Sequence, residues 1–248
     1  MRFKPYLPPP FRIIELETVG STNDHARQLA QEGASAGTII WSHEQTAGRG
    51  RQGNSWTSLP GNLFMSIVFR PRVEEAHIGQ ISFLSAVALA NVLETIVPAI
   101  TKIQLKWPND LLLNQRKAGG ILIETESQHT DSNRRPWVIV GIGVNILTAP
   151  EGAISLRDIG VKTYEAGHIL EFMAREMLML VKHWEKEGFG ALRAGWLGRA
   201  YKLGEKITAR LPKETQTGIF MGIDQDGALQ LQMPNGATKN ISSAEVLM

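Results

Sequence analysis

The chain has 248 residues, of which 43% are apolar and 20% charged, and this composition excludes a disordered chain. Its 26 basic and 24 acidic residues leave a formal charge of only +2, which argues against a protein coated in basic charge for nucleic acid or an anionic membrane. The absence of cysteine excludes disulfides, zinc–thiolate sites, cysteine nucleophiles and iron–sulfur clusters, and it fits a cytoplasmic protein.

The N-terminal residues 1–12 predict an extended, proline-rich arm and not a signal peptide, because no apolar core segment follows the charged start. Residues 81–100 are apolar enough to suggest a membrane span. They contain polar residues and a proline, however, and their apolar side chains recur at helical spacing. This segment therefore predicts a buried amphipathic helix.

Hydrophobic periodicity and turn residues predict alternating strands and helices over the first 200 residues. The predicted strands are 11–19, 38–43, 63–69, 103–107, 111–113, 119–124 and 138–144. The predicted helices are 25–32, 77–97, 164–187 and 189–199. After about Leu203 the pattern changes to short alternating segments at 206–210, 217–223, 228–232 and 238–241, which predict a small all-β barrel. We expect two domains, residues 1–202 and 203–248.

The segment that begins Gly48-Arg49-Gly50-Arg51 and ends at Trp56 is rich in both glycine and arginine. It satisfies the dinucleotide pattern G-x-G-x-x-G, but the residues that follow will not start the long helix that this fold requires. Arginines between glycines favour an anion site, because the backbone can approach the ligand and the guanidinium groups donate to carboxylate or phosphate. The alternative is an ordinary flexible loop.

Two further segments are candidate sites. Lys106 and Lys117 flank a predicted hairpin and could point to one face of a sheet, where they would suit an anion; the alternative is a solvated hairpin. Gly141 and Gly143 end a very apolar strand just before Asn145, which suggests close backbone approach or, equally, a core strand with a satisfied asparagine. The six histidines form no metal-binding pattern, so no metal ligand is predicted.

Taken together and in order, five segments resemble the motifs of the biotin–protein ligases. They are Ser21-Thr22-Asn23, Gln45-x-Ala47 with the Gly-Arg segment to Trp56, Lys106-Trp-Pro-Asn-Asp110, Lys117-x-x-Gly-Ile-Leu-x-Glu124 and Gly-x-Gly-x-Asn145. The resemblance covers nearly the whole chain. It implies an α+β fold, with a mixed β-sheet flanked by helices as in class II aminoacyl-tRNA synthetases, and a small C-terminal SH3-like β-barrel. Residues 1–202 would then bind biotin and ATP.

The resemblance also implies the reaction and its participants. Biotin's carboxylate attacks the α-phosphate of ATP, with Mg²⁺ arriving on the nucleotide, and biotinyl-5′-AMP then acylates a lysine of a biotin carboxyl carrier protein or domain. Some members carry an N-terminal DNA-binding domain, for which the 20 residues before Ser21 are too few, so we expect no nucleic-acid partner and no membrane partner. The resemblance allows a homodimer, since the family includes monomers and dimers.

The implied catalytic residues are Lys117, Arg51 and Asp110. Lys117 would contact the biotin carboxylate and the α-phosphate, Arg51 would close over them, and Asp110 would orient the acceptor lysine or the metal. The implied ligand-binding residues are Ser21, Thr22, Asn23, Gln45, Gly48, Arg49, Gly50, Arg51, Trp56, Lys106, Asn109, Lys117, Gly120 and Asn145. Among these, residues 21–23 and Gln45 would meet the ureido ring and Trp56 the adenine. The alternatives are helix capping at residues 21–23 and core packing for Trp56.

One position departs from the pattern, because Asn54 stands where the family often has arginine. This departure leaves open a biotin-binding protein without turnover. Two further alternatives, independent of Asn54, are a lipoate–protein ligase and a DNA-binding regulator. The missing cysteine counts against octanoyl transfer, and the Gly-Arg segment with Trp56 favours biotin over lipoate.

Overall fold

The computed structural model describes residues 3–125 and 136–247 and contains two β-sheets. The strands of the larger sheet are β1 Arg12–Val19, β2 Thr38–Gln45, β3 Leu63–Phe69, β4 Ile103–Lys106, β5 Asp110–Leu113, β6 Arg116–Thr125 and β7 Val138–Val144. They lie in the order β1-β2-β3-β7-β6-β5-β4, with β1 and β2 parallel and the other neighbours antiparallel. This mixed sheet confirms the predicted fold class.

Among the described residues, four α-helices cover the two faces of this sheet. They are α1 Thr22–Gln31, α2 Gln80–Glu94, α3 Ala166–Glu187 and α4 Gly190–Leu197. Side chains alternate between the faces, as a period of two requires: Ile39 and Trp41 join the large core under α2 and α3, whereas Ile40 packs under α1. The α1 face of the sheet is therefore only partly covered, and it carries the candidate site.

Helix α2 confirms the predicted buried helix, but it is buried on nearly all sides, so the prediction that it is amphipathic was wrong. Its neighbours are α3, α4 and the strands of the larger sheet, and twelve of its 15 residues are buried. Because these neighbours surround the helix, it has no polar face exposed to solvent. In the part of the chain that the structure describes, no helix has the length and apolarity needed to cross a membrane.

The C-terminal strands form a five-stranded antiparallel sheet in the order β11-β10-β9-β8-β12. Their bounds are β8 Lys206–Arg210, β9 Thr215–Ile223, β10 Leu229–Gln232, β11 Thr238–Ile241 and β12 Glu245–Val246, the last of which the sequence analysis missed. Trp107 Nε1 donates a hydrogen bond to the Gly227 carbonyl at 2.9 Å, and Phe220 packs edge-on against Trp196. These contacts seat the smaller sheet beside the candidate site; a domain division at residues 202 and 203 stays a prediction.

Candidate active site

The floor of the site is a row of residues that the sheet register places side by side. Pairing runs from Phe64 to Gly143, to Gly120, to Asp110 and finally to Lys106. The two glycines leave this row open at its centre. A Cβ would lie 2.6 Å from the Trp56 indole if built on Gly143 and 3.0 Å if built on Gly120, so the ring packs directly on glycine backbone.

The Gly-Arg segment forms a small hairpin that returns Trp56 to the sheet. The Gly50 N–H donates to the Asn54 carbonyl at 2.7 Å, and the Trp56 N–H donates to the Gly48 carbonyl at 2.9 Å. The turn itself needs left-handed backbone at Gln52 (φ 54°) and at Gly53 (φ 78°). The segment thus forms a hairpin, and no long helix follows it, in agreement with the prediction against a dinucleotide fold.

Three cationic side chains, those of Lys106, Lys117 and Arg51, lie around the carboxylate of Asp110. This is the end of the floor that β4 and β5 form. Lys117 Nζ lies 2.6 Å from Asp110 Oδ1 and 5.4 Å from the centre of the Trp56 ring. Burial lowers the pKa of Lys106, Asp110 opposes this shift and Lys117 reinforces it. Burial also lowers the pKa of Arg51, again against the charge of Asp110. Partly desolvated, uncompensated positive charge of this kind suits a bound anion.

Neutral donors and acceptors line the other part of the cavity. The Gln45 Oε1 atom accepts hydrogen bonds from the Thr22 N–H at 2.8 Å and from the Thr22 hydroxyl at 3.0 Å. Ser21 stands at the N-cap of α1, but its side chain makes no capping hydrogen bond. The capping alternative therefore does not hold for Ser21, which lines the cavity with Thr22 and Gln45.

Asn23 is held by two residues to which the sequence analysis gave no role. Its Oδ1 accepts from the Ser66 hydroxyl at 2.6 Å, and its Nδ2 donates to Glu124 Oε2 at 2.7 Å. The side chain lies directly over Gly141, where a Cβ would overlap its Oδ1 atom. Ser66 is the one polar residue in strand β3, LFMSIVF, and that interruption was the available sequence indication.

Arg49 forms ion pairs with two carboxylates of the protein. Its Nη2 lies 2.7 Å from Glu124 and 2.9 Å from Asp24. Burial alone would lower the pKa of Arg49, but the hydrogen bonds and charges of Glu124 and Asp24 outweigh it and raise that pKa. Asp24 was not predicted, and Glu124 was named only as the last residue of a motif, without a role.

Comparison with known proteins decides the family. Residues 16–145 match the Biotin/lipoate A/B protein ligase family, and residues 202–248 match the Biotin protein ligase C terminal domain. The biotin–[acetyl-CoA-carboxylase] ligase of Paracoccus denitrificans is 37% identical over 93% of this chain and 98% of its own length. The chain belongs to the biotin protein ligase family.

Other members of the family agree in sequence and in fold. The bifunctional ligase/repressor BirA of Bacillus subtilis is 34% identical over 94% of this chain and 73% of its own length. The biotin protein ligase of Aquifex aeolicus, solved in complex with biotin and ATP, superposes with a TM-score of 0.80 at 27% identity, covering 95% of this chain and 97% of that one. The Leishmania major enzyme, solved with biotinyl-5-AMP, gives 0.65 at 27% identity, covering 95% of this chain and 100% of that one.

The ligase fold brings nearly all the predicted site residues to one cavity. Those lining it are Ser21, Thr22, Asn23, Gln45, Arg49, Gly50, Arg51, Trp56, Lys106, Asn109, Asp110, Lys117 and Gly120. Gly48 is not among the lining residues; it lies at the base of the hairpin, where a Cβ would come within 2.7 Å of Ser58 and of the Trp56 carbonyl. Their roles toward ligands stay predictions.

Asn145 lies outside the cavity wall. It is buried, and its side-chain amide faces the carbonyls of Ile154 at 3.3 Å and Lys117 at 3.4 Å. Its own N–H donates to Ala118. This placement fits the alternative of a satisfied core asparagine, which braces the strand that carries Lys117.

Proposed function

We propose that the chain joins biotin to a lysine of a biotin carboxyl carrier domain in two steps. In the first, an oxygen of the biotin carboxylate forms a bond to the α-phosphorus of ATP, and the bond to the departing pyrophosphate breaks. In the second, the lysine amine attacks the acyl carbon of biotinyl-5′-AMP, AMP leaves with the bonding electrons, and the amine loses a proton. The product is an amide.

A single observation supports this function best: one cavity combines a neutral hydrogen-bonding end with a cationic end. Ser21, Thr22 and Gln45 offer the mix of donors and acceptors that a urea group needs. Lys117 and Arg51 lie at the other end, beside Asp110. A ligand with a neutral ring head and an anionic tail matches this division.

The cations supply the chemistry of the first step. Carboxylate and triphosphate are both anions, so their approach must be made favourable before attack, and the charge transferred to pyrophosphate must be stabilised afterwards. Lys117 lies beside Asp110 at the cationic end of the cavity, and we assign it the contact with the reacting carboxylate and the α-phosphate. Arg51 and Lys106 flank it and would hold the remaining phosphate oxygens.

Trp56 gives the cavity an aromatic surface on which a planar group can stack. Its ring lies on Gly120 and Gly143, and its Nε1 is buried without a hydrogen-bond partner among the described residues. We propose that the exposed side of the indole meets the adenylate.

Magnesium would be held mainly by the triphosphate. Among the described residues no three acidic or histidine side chains lie close enough to bind a metal, and Asp110 is already paired with Lys117. This arrangement fits Mg²⁺, which usually keeps several waters and takes only one or two carboxylates from a protein. When bound, the ion would offset phosphate charge.

Asp110 is our candidate for the second step. Amine attack requires loss of a proton, and the carboxylate of Asp110 is the acidic group beside Lys117 on the cavity floor. The acceptor class follows from the relatives, whose names specify acetyl-CoA carboxylase. A cytoplasmic location and a homodimer stay predictions.

The test is transfer to a defined acceptor. The chain is incubated with ATP, Mg²⁺, biotin and a purified biotin carboxyl carrier domain, and the intact mass of the carrier is measured. We expect one biotin per carrier, and none when the acceptor lysine is replaced by arginine. Modification with lipoate but not with biotin would move the chain to the lipoate branch. Binding of biotin without any transfer would contradict the ligase function.

A further inference from the structure

Glu124, near the end of strand β6, connects two parts of the site. Its Oε2 atom accepts hydrogen bonds both from Asn23 Nδ2 and from Arg49 Nη2, each at 2.7 Å. Its Oε1 atom accepts from Arg49 at 2.9 Å. The side chain is only 19% exposed, so these charge-assisted bonds are partly protected from solvent. One carboxylate therefore links the start of α1 to the start of the Gly-Arg hairpin.

Arg49 is held by carboxylates from two sides. The second carboxylate is that of Asp24 on helix α1, whose Oδ1 lies 2.9 Å from the same Nη2 atom. Arg27 pairs with both carboxylates from the outer side, so two acids and two arginines balance in charge. Arg49 Nε is buried and has no hydrogen-bond partner within the described residues, although Arg49 lines the cavity.

The position of Arg49 also fixes the hairpin. Arg49 pairs with Ser55 as an isolated antiparallel bridge, directly before Trp56. Trp56 lies on the glycine floor of the cavity. Loss of the contacts to Arg49 would therefore release the hairpin that holds Trp56 in this position. The contacts within the hairpin are few, and a short hairpin alone is marginally stable in water.

We infer that Glu124, assisted by Asp24, is a positioning residue that clamps Arg49 and so holds the Gly-Arg hairpin closed over the acyl-adenylate. The inference rests on the proposed function for the identity of the ligand. Glu124 does not touch the reacting atoms; it acts through Arg49 and Asn23. Since it contacts both, ordering of the ureido-binding residues and closing of the hairpin become one event.

Glu124→Gln is the informative change, because it keeps the size and removes the charge. Labelled biotinyl-5′-AMP is formed on the enzyme, and its release is followed after a chase. We expect release to become about tenfold faster, the effect of weakening a bond to a charged group. Asp24→Asn should have a smaller effect, since Asp24 is 42% exposed. Glu94→Gln is the matched control: it breaks another two-point glutamate–arginine pair, with Arg199 at 2.7 and 2.9 Å.

Hydrogen exchange in the unliganded protein separates a clamp from a general structural role. Glu124→Gln should speed exchange of the Gly50 and Trp56 amides, which form the hairpin, and leave the amides of β8 unchanged. Unaltered exchange at Gly50 and Trp56, or equal acceleration throughout the protein, would overturn the inference. If the unaltered chain forms no adenylate from biotin, the proposed function fails, and the exchange measurement still decides whether Glu124 clamps the hairpin.

Discussion

Lys117 and Asp110 meet at 2.6 Å because a register shift in the β5–β6 pair brings their strands into position. The shift falls between Leu111 and Leu112, so that Lys117 pairs with Leu112 while Gly120 pairs with Asp110. The lysine can therefore reach back over Gly120 toward the carboxylate. In the absence of ligand Asp110 balances the charge of Lys117, and an incoming anion would compete for the same ammonium group.

Replacing Lys117 by methionine should abolish most of the first step. The variant removes the ammonium group but keeps an unbranched side chain over Gly120. Loss of one such charged donor typically raises the activation barrier by about 3–4 kcal/mol, which is a loss of roughly 10²–10³-fold in rate. The measurement is the rate of biotinyl-5′-AMP formation in a single turnover. A rate within a factor of two or so of the original would remove Lys117 from the mechanism.

Asp110→Asn separates the two steps. We expect transfer from preformed biotinyl-5′-AMP to the carrier lysine to slow by about 10²-fold, the lower end of general acid–base contributions. The defect should shrink as the pH rises, because a larger fraction of the acceptor amine is then already deprotonated. Single-turnover transfer over a pH series provides the test. Unimpaired transfer at neutral pH would exclude the acceptor role.

Gly143→Ala should damage the site without unfolding the protein. The new methyl group would lie 2.6 Å from the Trp56 indole, so the ring must move off the floor. We expect weaker ligand binding with a thermal unfolding midpoint that changes little. Gly190→Ala is the control, because nothing lies within 4 Å of a Cβ there. Calorimetric titration with biotin and ATP measures the effect, and equal affinities for both variants would contradict the described position of Trp56.

Lys106→Met tests whether the partly buried charge of Lys106 lowers the free energy of unfolding. Burial, reinforced by Lys117 and opposed by Asp110, lowers the pKa of Lys106 below its ordinary 10.5. The charged lysine therefore weakens folding at neutral pH. That penalty fades as the pH rises through the lowered pKa and is gone above 10.5, since the lysine is then neutral in both states.

The variant should accordingly raise the free energy of unfolding at neutral pH while lowering adenylate formation. Its advantage in stability should shrink toward about pH 10. Urea unfolding at both pH values measures this, with exposed Lys102→Met as the control. An advantage that does not change with pH would show that packing, and not charge, is responsible.

Local sequence patterns predicted the buried strands best. Strands β3 and β7 have the predicted bounds, Leu63–Phe69 and Val138–Val144, because both are mainly apolar runs ended by polar or turn residues, with Ser66 as the one polar residue inside β3. Helix α1 begins at Thr22, three residues before the predicted start, because residues 22 and 23 adopt helical backbone while their side chains bond across the fold. Such long-range partners are invisible to a local pattern.

The same limit explains which site residues were found. Residues in recognisable motifs, such as Lys117 and Trp56, were identified, whereas Asp24 and Ser66 were not, because their partners lie 25 and 43 residues away in sequence. Asn145 shows the opposite case. It belongs to a motif, yet its amide faces the protein's own carbonyls. Membership of a motif did not by itself determine which side chains line the cavity. Sheet register and side-chain direction determined it.

Exchange of labelled pyrophosphate into ATP, with biotin, lipoate and octanoate in parallel, tests the central claim most directly. Exchange requires reversible formation of the acyl-adenylate and needs no acceptor protein. The account predicts exchange that depends on biotin and is lost in Lys117→Met. Exchange with lipoate in place of biotin, or none with any acid in a folded sample that binds biotin, would contradict it.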